Sequence, residues 1–150
     1  MALDKRFIGR KFDPFSFEVD RSKIRELAQA LGDDNPVFID DDEARASGLP
    51  GIVAPPTFPT LFKMWGEGGS ASHIEAMGGN VLHLLHGEES YEYHGFIRPG
   101  DVITGQTQVV SIDEKQGRSS LLEIIKLETE YRNQVGELVV VARTTIVIRG

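Results

Sequence analysis

At 150 residues, 40% of them hydrophobic, the chain is the size of one ordinary globular domain with enough apolar material for a buried core. A formal net charge of −7 without a basic cluster argues against a nucleic-acid partner and gives no attraction to anionic membrane surfaces. With no cysteine, no leader-like apolar run near the charged N-terminus and no stretch approaching the ~18 apolar residues of a membrane span, disulfides and thiolate chemistry are excluded and a soluble, cytoplasmic setting is expected.

Phe7 to Val19 carries β-formers around Asp13-Pro14 and is predicted as an irregular first strand. Asp20 is placed to cap a helix, because its carboxylate can accept from the free N–H groups of the next turn. Ile24, Leu27, Ala28 and Leu31 then recur at helical spacing, and Gly32 supplies a left-handed stop. A short acidic helix is predicted from Asp40 to Ser47, closed by Gly48. Pro55 and Pro56 cannot sit inside a helix but suit the residues before one, and the run Thr57 to Trp65 that follows is apolar on nearly every face. That is the pattern of a buried helix, which assigns Phe62, Met64 and Trp65 to core packing. Gly66, Gly68, Gly69, Gly78 and Gly79 frame a looser stretch with a short helix between Ser70 and Met77.

From Val81 onward the pattern is that of strands. Ser90 to Ile97 leads into a turn at Arg98–Asp101, followed by β-rich runs at Val102–Ile112, Ser119–Tyr131 and Leu138–Ile148. Turns are predicted at Asp113–Gly117 and Asn133–Gly136. Long adjacent strands in hairpin order imply an antiparallel sheet, and the Thr57–Trp65 helix is the one strongly apolar element available to cover it. The class is α+β in a single domain, residues 1–150, and pattern alone leaves several such arrangements open.

Two places carry candidate chemistry. Asp33, within Gly32-Asp33-Asp34-Asn35-Pro36-Val37-Phe38, is either a water-orienting carboxylate or a loop acid, since this composition also favours Asx turns. Asn35 suits fixing the loop better than touching a substrate. His86 is the second. If the strand runs unbroken to Phe96, then His86, Glu88, Ser90, Glu92 and His94 share one face, while Tyr91 and Tyr93 take the other. Glu88 would then orient His86 and keep it basic; the other possibility is a solvated polar face. His83 and His94 are weaker candidates and His73 has no evident partner. Four histidines without ligand spacing do not make a metal site.

The ordered set Phe15–Arg25, Gly32–Phe38, Gly51–Phe58, His86–Glu89 and Arg98–Asp101 resembles the MaoC-like, (R)-specific enoyl-thioester hydratases, whose motif reads Gly-Asp-x-Asn-Pro-aliphatic-His. It is most similar to the N-terminal MaoC, or FAS1-like, dehydratases, including the non-catalytic subunit of mycobacterial (3R)-hydroxyacyl-ACP dehydratases. The resemblance implies a hot-dog fold, a sheet wrapped around a central apolar helix. It also implies reversible hydration of a trans-2-enoyl thioester, with coenzyme A or acyl carrier protein as the carrier and no further cofactor. Homo- or heterodimers that extend the sheet are part of the expectation, with pantetheine along the dimer interface. In that frame Asp33 and His86 are the candidate catalytic residues, and Asn35, Thr57 and Glu88 candidate substrate contacts. Lys63, Arg98 or Arg118 would form the local patch that an anionic carrier needs. Phe62, Met64 and Trp65 gain a second option, the wall of an acyl tunnel.

Two departures stand out. Phe38 occupies the position of the family's histidine. Pro55-Pro56 aligns with a His-Gly step whose glycine N–H serves as a donor, and proline has none. Thr57 is the substitute donor. Either His86 replaces the missing base, or the chain is a non-catalytic partner of a subunit with an intact Asp and His. A thioesterase on the same fold would need an acid or a water-positioning group on the central helix, where only Thr57 and Thr60 are available.

Overall fold

A computed structural model of the chain describes residues 3–67 and 69–150. Met1, Ala2 and Gly68, which belong to the N-terminal reading and the glycine-rich stretch, lie outside the described residues.

Local signals set the first half. A 3-10 turn at Lys5–Phe7 and an isolated bridge from Lys11 to Gln108 occupy much of the predicted first strand, which shrinks to β1, Phe15–Glu18. Pro14 ends the preceding segment, since it offers no N–H to a ladder. Helix α1 spans Arg21–Leu31; Asp20 caps it by accepting from Ser22 N–H at 3.1 Å, and Gly32 closes it at φ 68°. Helix α2 is Asp41–Ala46, with Asp40 accepting from the N–H groups of Asp42 and Glu43. The central helix α3 begins at Pro59, two residues later than predicted, runs to Phe62, and continues as a π-helical turn over Lys63–Glu67. Helix α4 follows at Gly69–Ala76.

The second half is sheet. Strands β2 (Leu84–Tyr93), β3 (Val102–Gln116), β4 (Leu121–Arg132) and β5 (Leu138–Arg149) are antiparallel, in the order β1-β3-β4-β5-β2. β3 runs through the turn expected at Asp113, so the reversal to β4 falls at Gly117–Ser120. β2, although first in sequence among the long strands, pairs with β5 and forms one edge.

One face of this sheet is buried. Ile103, Tyr131, Val140 and Ala142 share a core cluster with Phe58 at the N-cap of α3 and Phe62 at its end, both fully buried, and with Val19 and Ile24. A second cluster, with Ile125, Leu127, Ile146 and Ile148, closes around Ile74 of α4 and Met77 just after it. An antiparallel sheet folded about one apolar helix is the hot-dog arrangement. Its helix is less uniformly buried than its composition suggested: Phe62 is core, but Met64 and Trp65 are 66% and 63% exposed. The Trp65 ring lies under the Lys23 ammonium at 4.5 Å and belongs neither to the core nor to a tunnel. Among the described residues no helix is long and apolar enough to cross a membrane.

Candidate active site

The Gly32–Phe38 loop uses its polar side chains on itself. Asp33 N–H returns to the Ala28 carbonyl at 2.9 Å, and Asp33 Oδ1 accepts from Asn35 N–H at 3.0 Å. Asn35 Oδ1 in turn accepts from Val37 N–H at 3.2 Å and caps a 3-10 turn at Pro36–Phe38. Phe38 points inward and is 7% exposed, in the same buried cluster as Ile24, Ala28, Ala44, Ile52 and Val53. Burial of such a ring stabilises the fold by roughly 2–3 kcal/mol, a role no imidazole fills without a partner. Asp33 stays exposed, at a cleft of about 610 Å³ shared with Arg25, Gln29, Ile39 and Asp40. No histidine lines that cleft.

At the entrance to α3, Phe58 N–H closes a turn onto the Pro55 carbonyl at 2.9 Å. The Pro56 carbonyl accepts from the Tyr93 hydroxyl at 2.7 Å, which ties the edge strand to the start of the central helix. Thr57 lies exposed on that turn.

His86 occupies a different cleft, of about 460 Å³, between α3, α4 and the inner face of β2. Its surroundings differ from the sequence reading because β2 does not alternate without a break. His86 pairs with Ile146 and Glu88 with Thr145, so Gly87 is an extra residue, a β-bulge. The bulge shifts the phase. Opposite residues of an antiparallel pair share a face, so Glu89, Tyr91 and Tyr93, facing Thr144, Ala142 and Val140, join His86 on the inner side. Glu88, Ser90 and Glu92, facing Thr145, Arg143 and Val141, go to the outer side. The predicted His86–Glu88 pair is therefore replaced by His86–Glu89, with Nε2 and Oε2 3.1 Å apart. Glu88 is exposed on the opposite face and touches nothing in the cleft.

Glu89 is the hub of this cleft. Lys63 Nζ, from the first residue of the π turn, donates to Glu89 Oε1 at 2.7 Å and to Thr144 Oγ1 at 2.5 Å. Both members of the ion pair are mostly buried, with side chains 12% and 18% exposed. Burial alone would push the Glu89 carboxyl up, but the hydrogen bond and charge of Lys63, with Thr144 and His86, hold it below the ordinary glutamate value. One helix turn earlier, Thr60 Oγ1 and the Tyr91 hydroxyl lie 2.7 Å apart. Burial raises the Tyr91 hydroxyl to about 12, so it stays a protonated donor near neutrality. Lys63 is thus an interior ion-pair partner and not part of a surface patch for a carrier.

Sequence reasoning missed Lys63, Glu89, Thr60 and Tyr91 as one constellation. The available signal was Gly87, since an isolated glycine within a strand pattern marks a bulge. Of the other histidines, His94 pairs with Glu92 at 3.0 Å just past the end of β2, and His73 is buried with its ring 4.1 Å from that of Phe12. His83 lies exposed beside Leu82. Asp33 and His86 line separate clefts of the chain, so one subunit does not combine them in a single site.

A sheet closed on a central helix, with a polar cluster between that helix and the edge strand, defines a hot-dog domain. The chain belongs to the FAS1-like dehydratase family, whose domain model matches residues 6–142. It is 34% identical over 151 residues to a UPF0336 protein of Thermobifida fusca, covering 100% of this chain and 96% of that one. A UPF0336 protein of Streptomyces avermitilis is 36% identical over 152 residues, covering 99% and 97%. Among solved structures, the chain is similar to the C-terminally truncated HadBC (3R-hydroxyacyl-ACP dehydratase) complex of Mycobacterium tuberculosis. The TM-score is 0.77 and the identity 25%, over 94% of this chain and 96% of that one. The ChsH1–ChsH2 complex of the same organism has the same fold, with a TM-score of 0.76 and 23% identity over 92% and 83%.

Proposed function

We propose that this chain is the acyl-binding, non-catalytic subunit of a heterodimeric (R)-specific enoyl-thioester hydratase/3-hydroxyacyl-thioester dehydratase. A second hot-dog subunit with an intact Asp and His supplies the chemistry. Coenzyme A or acyl carrier protein carries the substrate, and no further cofactor takes part. The observation that carries the reading is Phe38: the position of the family's base holds a core side chain, 7% exposed. Hydration needs a base for water and an acid for the α-carbon, and no histidine shares the Asp33 cleft among the described residues. The likeness to two-subunit complexes supports a hot-dog partner. The test is hydration of a short trans-2-enoyl thioester by the chain alone and co-expressed with a hydratase-like neighbour. The lone chain is expected to be inert and the pair active; full turnover by a stable homodimer would rule the reading out.

The His86–Glu89 pair inside a mostly apolar cleft favours a second reading, an independent hydratase with His86 as its base. That reading requires turnover by the lone chain that disappears in His86→Ala.

A further inference from the structure

Resting on the acyl-binding reading above, we infer that the Lys63–Glu89 cleft receives a part of the acyl chain that carries a neutral oxygen function, a hydroxyl or keto group, in preference to plain alkane.

Met64, Ala71, Leu84 and Ile146 give the cleft apolar walls that suit a hydrocarbon segment. Between them converge groups that a hydrocarbon cannot satisfy. An ammonium has three N–H donors. Two of those on Lys63 go to Glu89 and Thr144, and the third has no acceptor among the described residues. The Thr60 hydroxyl donates to Tyr91 and the Tyr91 hydroxyl is in turn hydrogen-bonded to Glu89, so the unclaimed donor is the third N–H of Lys63. Alkane lodged here would displace water from this donor without replacing its hydrogen bond, and burying a polar group unpaired is costly.

The charge of the cluster excludes the opposite extreme. Glu89 cancels Lys63, and Glu89 lines the cleft itself, so a carboxylate tail would meet a like charge with no surplus cation. A hydroxyl or carbonyl oxygen avoids both penalties. It can accept from Lys63, and a hydroxyl can also donate to Glu89. The apolar walls hold the methylenes on either side.

The experiment measures binding of matched N-acetylcysteamine thioesters to the purified full chain by titration calorimetry. One is a plain acyl chain, and the others have the same length with one hydroxyl or keto group placed beyond the third carbon. At least one oxygenated isomer should bind roughly tenfold tighter than the alkane, about one net hydrogen bond. The double variant Lys63→Met with Glu89→Leu leaves no lone buried charge and should reverse the preference. Alkane binding as tightly as every oxygenated isomer overturns the inference, as does a preference that survives in the double variant. Absence of binding by any thioester while the co-expressed pair hydrates its substrate overturns the subsite and leaves the partner reading standing. Selective binding with an inactive pair does the reverse.

Discussion

A histidine restored at position 38 would not restore a catalytic site. The side chain there points into the core, so Phe38→His exchanges a packed ring for a buried imidazole without a partner. We expect Phe38→His to lose about 2–4 kcal/mol in urea unfolding and to show no hydration of enoyl thioesters. The neighbouring glutamates give a sharper test of the site, because the bulge at Gly87 sends them to opposite faces. Glu89→Gln leaves the Lys63 ammonium mostly buried beside a neutral amide and should cost roughly 2–3 kcal/mol at neutral pH, whereas Glu88→Gln on the exposed face should stay within about 0.5 kcal/mol. The pH dependence follows from the lowered Glu89 carboxyl. A carboxyl that is more acidic folded than unfolded contributes stability fully present above its unfolded value, near 4.3, and lost as pH falls through the lower folded value. The stability gap between the native chain and Glu89→Gln should therefore narrow on acidification below about pH 4.3, as read by urea midpoints across a pH series.

Among the elements, the sheet accepts the central helix only because certain positions carry little bulk. At Gly105 of β3 an added Cβ would lie 2.7 Å from Tyr131 and 2.8 Å from Phe15, two rings in edge-on contact beneath the π turn. Gly105→Ala should lower stability by about 1–3 kcal/mol through overpacking, measurable by thermal or urea unfolding. The elements also divide by how their causes are encoded. The cap at Asp20, the stop at Gly32 and the hairpin order of β3, β4 and β5 rest on neighbours in sequence, and all were legible there. The faces of β2 were not, because alternation holds only until one residue is inserted, and Gly87 was the sole hint. The partners of Lys63 were hidden for a related reason. They come from β2 and β5, 26 and 81 residues away, and nothing local to an apolar helix announces a buried ion pair. Trp65 was misplaced because composition records that a helix is apolar, not how far its last turn projects beyond the sheet.

For the whole molecule, the open question is the free edge. β2 ends the sheet with ten residues, and among the described residues it pairs with β5 alone, where β4 and β5 are paired on both sides. Such an edge is a template for a further strand. If the proposed partner completes the sheet there, amide hydrogen exchange of the lone chain should be fast along β2 and slow along β4. Complex formation should then slow exchange at alternate residues of β2. Unchanged β2 exchange in an active complex would place the partner elsewhere.

The bulge also bears on how this edge finds its place during folding. If Gly87 were taken up as an ordinary rung, every later residue of β2 would move by one, and Glu88 would arrive opposite Thr144 where Glu89 now stands. Lys63 would still meet a carboxylate, so that ion pair alone does not distinguish the misthreaded strand from the correct one. Proofreading then falls to the tyrosines. Misthreading would turn Tyr91 and Tyr93 outward, break their bonds to Thr60 and to the Pro56 carbonyl, and bring Ser90 and Glu92 in their place.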